Sequence, residues 1–142
     1  MANVVSNLMK YIAFDASAGI DWTVDTIKVS LHTSTLTPSA DTHLYFDDLT
    51  NEVSGTGYSA GGATLASKTL TQDDTNDRGV CDAADVTWSA STITARYAAV
   101  YKSTGTASTS PVIGIIDFGA DKSSSATDFV IQYHASGIVY LG

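Results

Sequence analysis

Ser91-Thr-Ile-Thr-Ala-Arg-Tyr-Ala-Ala-Val-Tyr101 and Pro111-Val-Ile-Gly-Ile-Ile-Asp-Phe118 are two apolar arms joined by Lys102-Ser-Thr-Gly-Thr-Ala-Ser-Thr-Ser110, a connector built almost wholly of turn formers. The stretch reads as a long β-hairpin. In the first arm Ile93, Ala95, Tyr97, Ala99 and Tyr101 alternate with Thr92, Thr94, Arg96, Ala98 and Val100, the period that sends successive side chains to opposite faces of a sheet. The second arm is apolar on both faces, which predicts cover on two sides, by the core and by another layer or subunit.

Outward from the hairpin, Ile27, Val29 and Leu31 alternate with Lys28, Ser30 and His32 in a half-buried strand. Leu36 to His43 breaks that strand with proline and turn residues, and Leu44 to Leu49 fits a helical turn or a strand. Four glycines between Gly55 and Gly62 exclude a regular helix and allow bends. Further strands are predicted over Ala63 to Thr71, over Gly79 to Asp82 and ending at Val86 to Trp88. Asp128 to His134 and Gly137 to Leu141 read as two closing strands around a turn. Near the start, Val5, Leu8, Met9 and Ile12 have the spacing of one helical face, with Asn3 as the N-cap, over about residues 4–13. The expectation is a mainly β chain: a single-domain antiparallel β-sandwich or jelly-roll-like fold over residues 16–142, preceded by a helical arm over residues 1–15.

Composition narrows the function. The 142 residues suit one domain, and 15 acidic against 7 basic residues give a formal charge of −8, which opposes contact with nucleic-acid phosphates. A single cysteine, Cys81, excludes an internal disulfide and reads as a buried small hydrophobe. Ala16-Ser-Ala18 mimics a signal-peptidase site, but no basic residue precedes the apolar stretch and Lys10 interrupts it, so no leader is expected. No run approaches the length of a membrane span. The expected product is soluble, made in the cytoplasm, and not membrane-bound.

Catalytic patterns are missing from the sequence. There is no Gly-x-Ser-x-Gly elbow and no phosphate loop with its lysine. His32, His43 and His134 fall in separate elements and read as strand-face or loop residues. The one cluster with chemical potential is acidic: Asp73, Asp74 and Asp77, with Asp82 and Asp85 nearby, offer the oxygen ligands that Ca²⁺ takes from loops, without the spacing of a helix-loop-helix calcium site. A solvated acidic loop is the plainer reading, and no cofactor is expected.

Three segments carry a resemblance: Asp21-Trp22 before Ile27-Lys-Val-Ser-Leu31; Asn51-Glu-Val-Ser-Gly-Thr-Gly-Tyr-Ser-Ala-Gly-Gly62; and Ala95-Arg-Tyr-Ala98. In these the chain resembles small bacteriophage virion structural proteins, over most of its length beyond the N-terminal arm. The resemblance implies a non-enzymatic capsid decoration (cement) protein on the capsid exterior, binding the major capsid protein and stabilising the head. The alternative it implies is a host-recognition or structural module of a tail or head fibre, with Tyr45, Phe46, Tyr58 and the Ser/Thr-rich tips at Ser103 to Ser110 and Lys122 to Thr127 as contacts. The surplus apolar groups Val112, Ile113 and Ile115 and the helical stripe Val5, Leu8, Met9 and Ile12 are the expected interface, closing a homo-oligomer, most simply a trimer.

Overall fold

The computed structural model describes residues 3–13 and 19–141, with the backbone alone at Ile12. In chain order it contains β1 (Val4–Val5), α1 (Asn7–Ile12), β2 (Ile27–His32), β3 (Ala63–Thr64), β4 (Thr69–Asp73), β5 (Arg78–Asp82), β6 (Val86–Ser91), β7 (Thr94–Lys102), β8 (Val112–Ser123), β9 (Thr127–Ile131) and β10 (Val139–Leu141). The hairpin β7–β8 lies in the middle of a five-stranded antiparallel sheet of order β1-β8-β7-β2-β3. A three-stranded sheet β10-β5-β4 and a ribbon β6-β9 supply side chains to the other side of the core. The fold is therefore mainly β, antiparallel and sandwich-like, with one short α-helix, as the alternation predicts.

The β7–β8 register shifts at two points, between Ala95 and Tyr97 and between Val100 and Tyr101, and strict alternation along β7 fails at the first. Ala95 faces Lys122 while Tyr97 faces Asp117, so β8 carries a wide bulge there, with Gly119 at φ 79 inside it. The bulge puts Ala95 on the inner face with Ala98 and Val100, and turns Tyr97 and Ala99 outward. Arg96 sits at the kink and grips Asp117 with two hydrogen bonds, Nε to Oδ1 at 2.6 Å and Nη2 to Oδ2 at 3.3 Å. That guanidinium holds the Asp117 carboxyl far below the usual carboxylate range.

Inside the sandwich Ile27, Val29, Leu31, Ala98, Val100 and Ile113 meet Val86, Trp88, Phe129, Ile131 and Val139. The outer face of the hairpin is also covered, but by this chain's own loop. Leu36, with Leu49 beside it, closes over Tyr97, Ala99, Val112 and Ile115. This corrects the expected interface: Val112 and Ile113 are 0% exposed and Ile115 3%, so none can meet a subunit while the domain is folded.

The N-terminal stripe is corrected in the same way. Val4 and Val5 are extended and pair with Ile115 and Gly114, as β-branched residues favour, and the helix starts only at Asn7. Ser6 rather than Asn3 is the cap, its Oγ accepting the Met9 N–H at 3.0 Å while its hydroxyl donates to the Val112 carbonyl. Met9 is buried in the main core and Val5 and Leu8 pack against it, whereas the Ile12 side chain and the proposed boundary at residues 15 and 16 lie outside the described residues.

Other differences concern pairing. The run from Ala63 to Thr71 divides into β3 and β4 around Ser67, which turns at φ 50. The two closing strands do not pair with each other: β9 joins β6 and β10 joins β5. Residues 46–48 form a 3-10 turn, which settles the ambiguity between Leu44 and Leu49. Cys81 is half-buried against the main core, and burial pushes its thiol up to about 11. Among the described residues no helix is long and apolar enough to cross a membrane.

Candidate binding groove

On the outer face of the five-stranded sheet, Lys28 of β2 lies directly across from Tyr101 of β7. Their neighbours Ile27, Val29 and Val100 point into the core, so the lysine and the tyrosine must point away from it. The 3-10 turn at Phe46–Asp48 brings Phe46 onto Tyr101, with ring centroids 4.3 Å apart and planes 21° from parallel. Asp48 fixes that turn, its Oδ2 accepting from the Leu44 and Tyr45 N–H groups at 3.0 and 2.8 Å, and the Phe46 N–H donates to the Ser110 carbonyl at 2.8 Å.

Glu52 completes the wall. It bridges to His32 at the end of β2, and its Oε1 accepts from Tyr58 Oη at 2.7 Å and from the Gly61 N–H at 2.6 Å. Tyr101 Oη donates to the Gly61 carbonyl at 2.6 Å, so both backbone groups of Gly61 are held. Gly62 follows at φ 75, and a Cβ there would lie 1.8 Å from the Val29 carbonyl oxygen. Only glycine lets this loop lie flat on β2. On the far side Ser110 Oγ ties the connector, accepting from the Thr104 N–H at 3.0 Å and donating to the Thr106 carbonyl at 2.8 Å. Between these walls lies an open groove of about 370 Å³.

The charges in the groove are uneven in their commitments. Glu52 Oε1 is doubly bonded, while its second oxygen accepts no hydrogen bond from a described residue. Lys28 is half-buried and makes no hydrogen bond or ion pair with any described residue. Burial pushes Tyr101 up to about 12 and raises Tyr58 further, so both hydroxyls stay protonated donors.

Behind the wall, Ser30 and His32 are 0% exposed. Thr50's carbonyl can only accept, at 2.9 Å from Nδ1, so that nitrogen carries the proton and Nε2 receives the Ser30 hydroxyl at 2.9 Å. Burial depresses the His32 pKa and keeps the ring neutral. A serine donating to a histidine resembles half a catalytic triad, but this pair is sealed from substrate and ties β2 to residues 50–52.

The acidic residues weighed as calcium ligands do not converge. Asp73 is used by its own hairpin turn, accepting from Arg78 Nε at 2.9 Å and Asn76 Nδ2 at 2.8 Å; Asp74 accepts from Gln72; and Asp77 takes φ 53 in the same turn. Asp82 and Asp85 accept from the Ala83 and Tyr133 N–H groups. Among the described residues no three His, Cys, Asp or Glu side chains are grouped to hold a metal. His43 and His134 accept turn N–H groups from Ser39 and Ser136.

Of the aromatic contacts expected from sequence, only Phe46 lines the groove. Tyr45 bridges to Pro111, and Tyr58 lies beneath, donating to Glu52 and accepting from the Leu31 N–H at 2.9 Å. The connector at residues 103–110 does reach the site. Lys28, Glu52 and Tyr101 were not legible as site residues.

The edge strands of the three-stranded sheet carry further exposed groups, and register sets Leu70 beside Cys81 and Tyr140 beside Val80, on opposite faces of that sheet. No described strand pairs with either edge of this sheet, and both edge strands carry exposed apolar side chains: Leu70 on β4 at 58%, and Tyr140 and Leu141 on β10 at 53% and 38%. Arg78 covers one face of Tyr140, 4.5 Å from its centroid. No protein-family model matches the chain, and comparison with curated proteins and with solved structures finds no match.

Proposed function

We propose that the chain is a structural component of a phage virion that docks on the outer capsid surface, with the major capsid protein as its partner, and stabilises the head. The observation that carries the reading is the pair of edges on the three-stranded sheet that no described strand pairs with. Edge strands present unpaired backbone groups, and proteins normally blunt them with charge, proline or cover. Here β4 and β10 instead expose Leu70, Tyr140 and Leu141. Such an edge suits strand addition or apolar contact with a large partner. The adhesive surface thus moves from the hairpin, whose apolar surplus is internal, to β4 and β10, and the surplus no longer argues for a trimer.

The segments that carry the resemblance support the reading by what they build. Asp21 caps a turn that places Trp22, whose Nε1 donates to the Asp82 carbonyl at 3.0 Å, and residues 51–62 form the Glu52 clamp. These are scaffold roles. Many weak contacts repeated over a lattice stabilise it by linkage, because a ligand bound only to the intact shell shifts disassembly.

The test adds purified protein to capsids that lack it and follows binding and rupture temperature. Wild type is expected to bind and raise that temperature, and the double variant Leu70→Asp/Tyr140→Asp to do neither while melting within about 1 kcal/mol of wild type, as exposed sites do. Failure of the wild type to bind, or undiminished binding by the double variant, discards the reading.

A further inference from the structure

The groove beside Phe46 plays no part in edge docking, and its chemistry points to a small ligand. Lys28 is half-buried and its ammonium has no partner among the described residues, while the second oxygen of Glu52, behind the same loop, accepts no hydrogen bond from a described residue. Both groups line an open groove, where each can exchange water for a hydroxyl of a ligand. The floor is an aromatic pair with Phe46 uppermost, partly exposed. One volume of about 370 Å³ thus offers a cationic donor, an anionic acceptor and a flat apolar face.

We propose that this groove binds a neutral saccharide, one sugar ring at a time. Adjacent hydroxyls both donate and accept, so a single ring answers Glu52 and Lys28 together, while the C–H face of the ring lies on Phe46. An anion fits less well: Asp47 and Asp48 are exposed beside Phe46 and the whole chain carries −8. A nucleotide is disfavoured by the same field. A peptide would need a deep apolar anchor, and the floor of this groove is shallow and open. The groove is preformed, because Asp48, Ser110 and both backbone groups of Gly61 are already tied, so little ordering remains when the ring binds. The inference is independent of the docking reading, since Leu70, Tyr140 and Leu141 are not among the residues that line the groove.

Ligand-observed NMR and calorimetry on the intact chain would use methyl glycosides of glucose, galactose, mannose and N-acetylglucosamine, with glucuronate as the anionic control. At least one neutral glycoside is expected to bind with Kd of about 1 mM. Phe46→Ala and Lys28→Met should each weaken it about tenfold, and Tyr11→Ser, exposed at 67% on the N-terminal helix, should leave it unchanged. Lys28→Met keeps the strand and removes only the ammonium, so it carries the test should Phe46→Ala fail to fold. The proposal is overturned if no neutral glycoside binds, if glucuronate binds more tightly than all of them, or if Lys28→Met binds as wild type does. None of these outcomes bears on capsid binding, which is measured separately.

Discussion

Tyr58 Oη donates to Glu52 Oε1 at 2.7 Å while accepting the Leu31 N–H at 2.9 Å, so one hydroxyl joins the groove wall to a central strand. Tyr58→Phe leaves the Leu31 N–H without its acceptor and Glu52 with one donor fewer. The expected loss is about 2 kcal/mol, the usual cost of stranding a buried polar group. Urea unfolding would measure it, and a loss below about 0.5 kcal/mol would mean that water replaces the hydroxyl freely.

His32 gives stability a specific pH window. Its folded pKa lies below the ordinary value of 6.5, because burial disfavours the imidazolium, so the unfolded chain takes up the proton first as pH falls. Stability from this group is full above 6.5 and is lost progressively below it. His43, less buried, is shifted in the same direction and adds to the slope. Asp117 acts in a separate window, its contribution present above its ordinary value of 3.8 and lost as pH falls beneath that. Unfolding free energies between pH 7 and pH 5 should therefore decline in wild type and decline less in His32→Asn; equal slopes would remove His32 from the account.

At Gly62 an added methyl has nowhere to go. The Cβ would overlap the Val29 carbonyl at 1.8 Å, and φ 75 is strained for any L side chain. Gly62→Ala should cost about 3 kcal/mol or more and open the groove wall. Gly79→Ala, with nothing within 4 Å of its Cβ, is the control and should melt close to wild type. Thermal unfolding of the pair decides the matter.

Period-two patterning and turn formers are local properties, and they sufficed for β2, for the hairpin and for the fold class. What stayed hidden depends on distant partners. The bulge opposite Arg96 is visible only once Ala95 is seen to face Lys122 and Tyr97 to face Asp117. Cover for Val112 and Ile115 comes from Leu36, one apolar residue in an otherwise polar loop, so composition alone suggested a subunit instead. Asp128 to His134 and Gly137 to Leu141 look like a hairpin because a turn separates them, yet each finds a better-matched edge elsewhere. In the groove, Phe46 was legible as a loop aromatic, but Lys28 reads as an ordinary polar strand position until register sets it against Tyr101.

The pairing of β2 with β7 also sets when this chain can fold. Ile27, Val29 and Leu31 leave the ribosome long before residues 94–102, and β1 waits longer still, for Gly114 and Ile115. At about 5 to 20 residues per second, roughly 3 to 12 s separate the emergence of β2 from that of its partner. During that interval β2 has only the two residues of β3 to pair with. Nascent chains interrupted before residue 94 should therefore be open to proteases and to hydrophobic-binding chaperones, and protection should begin only when the central hairpin has emerged.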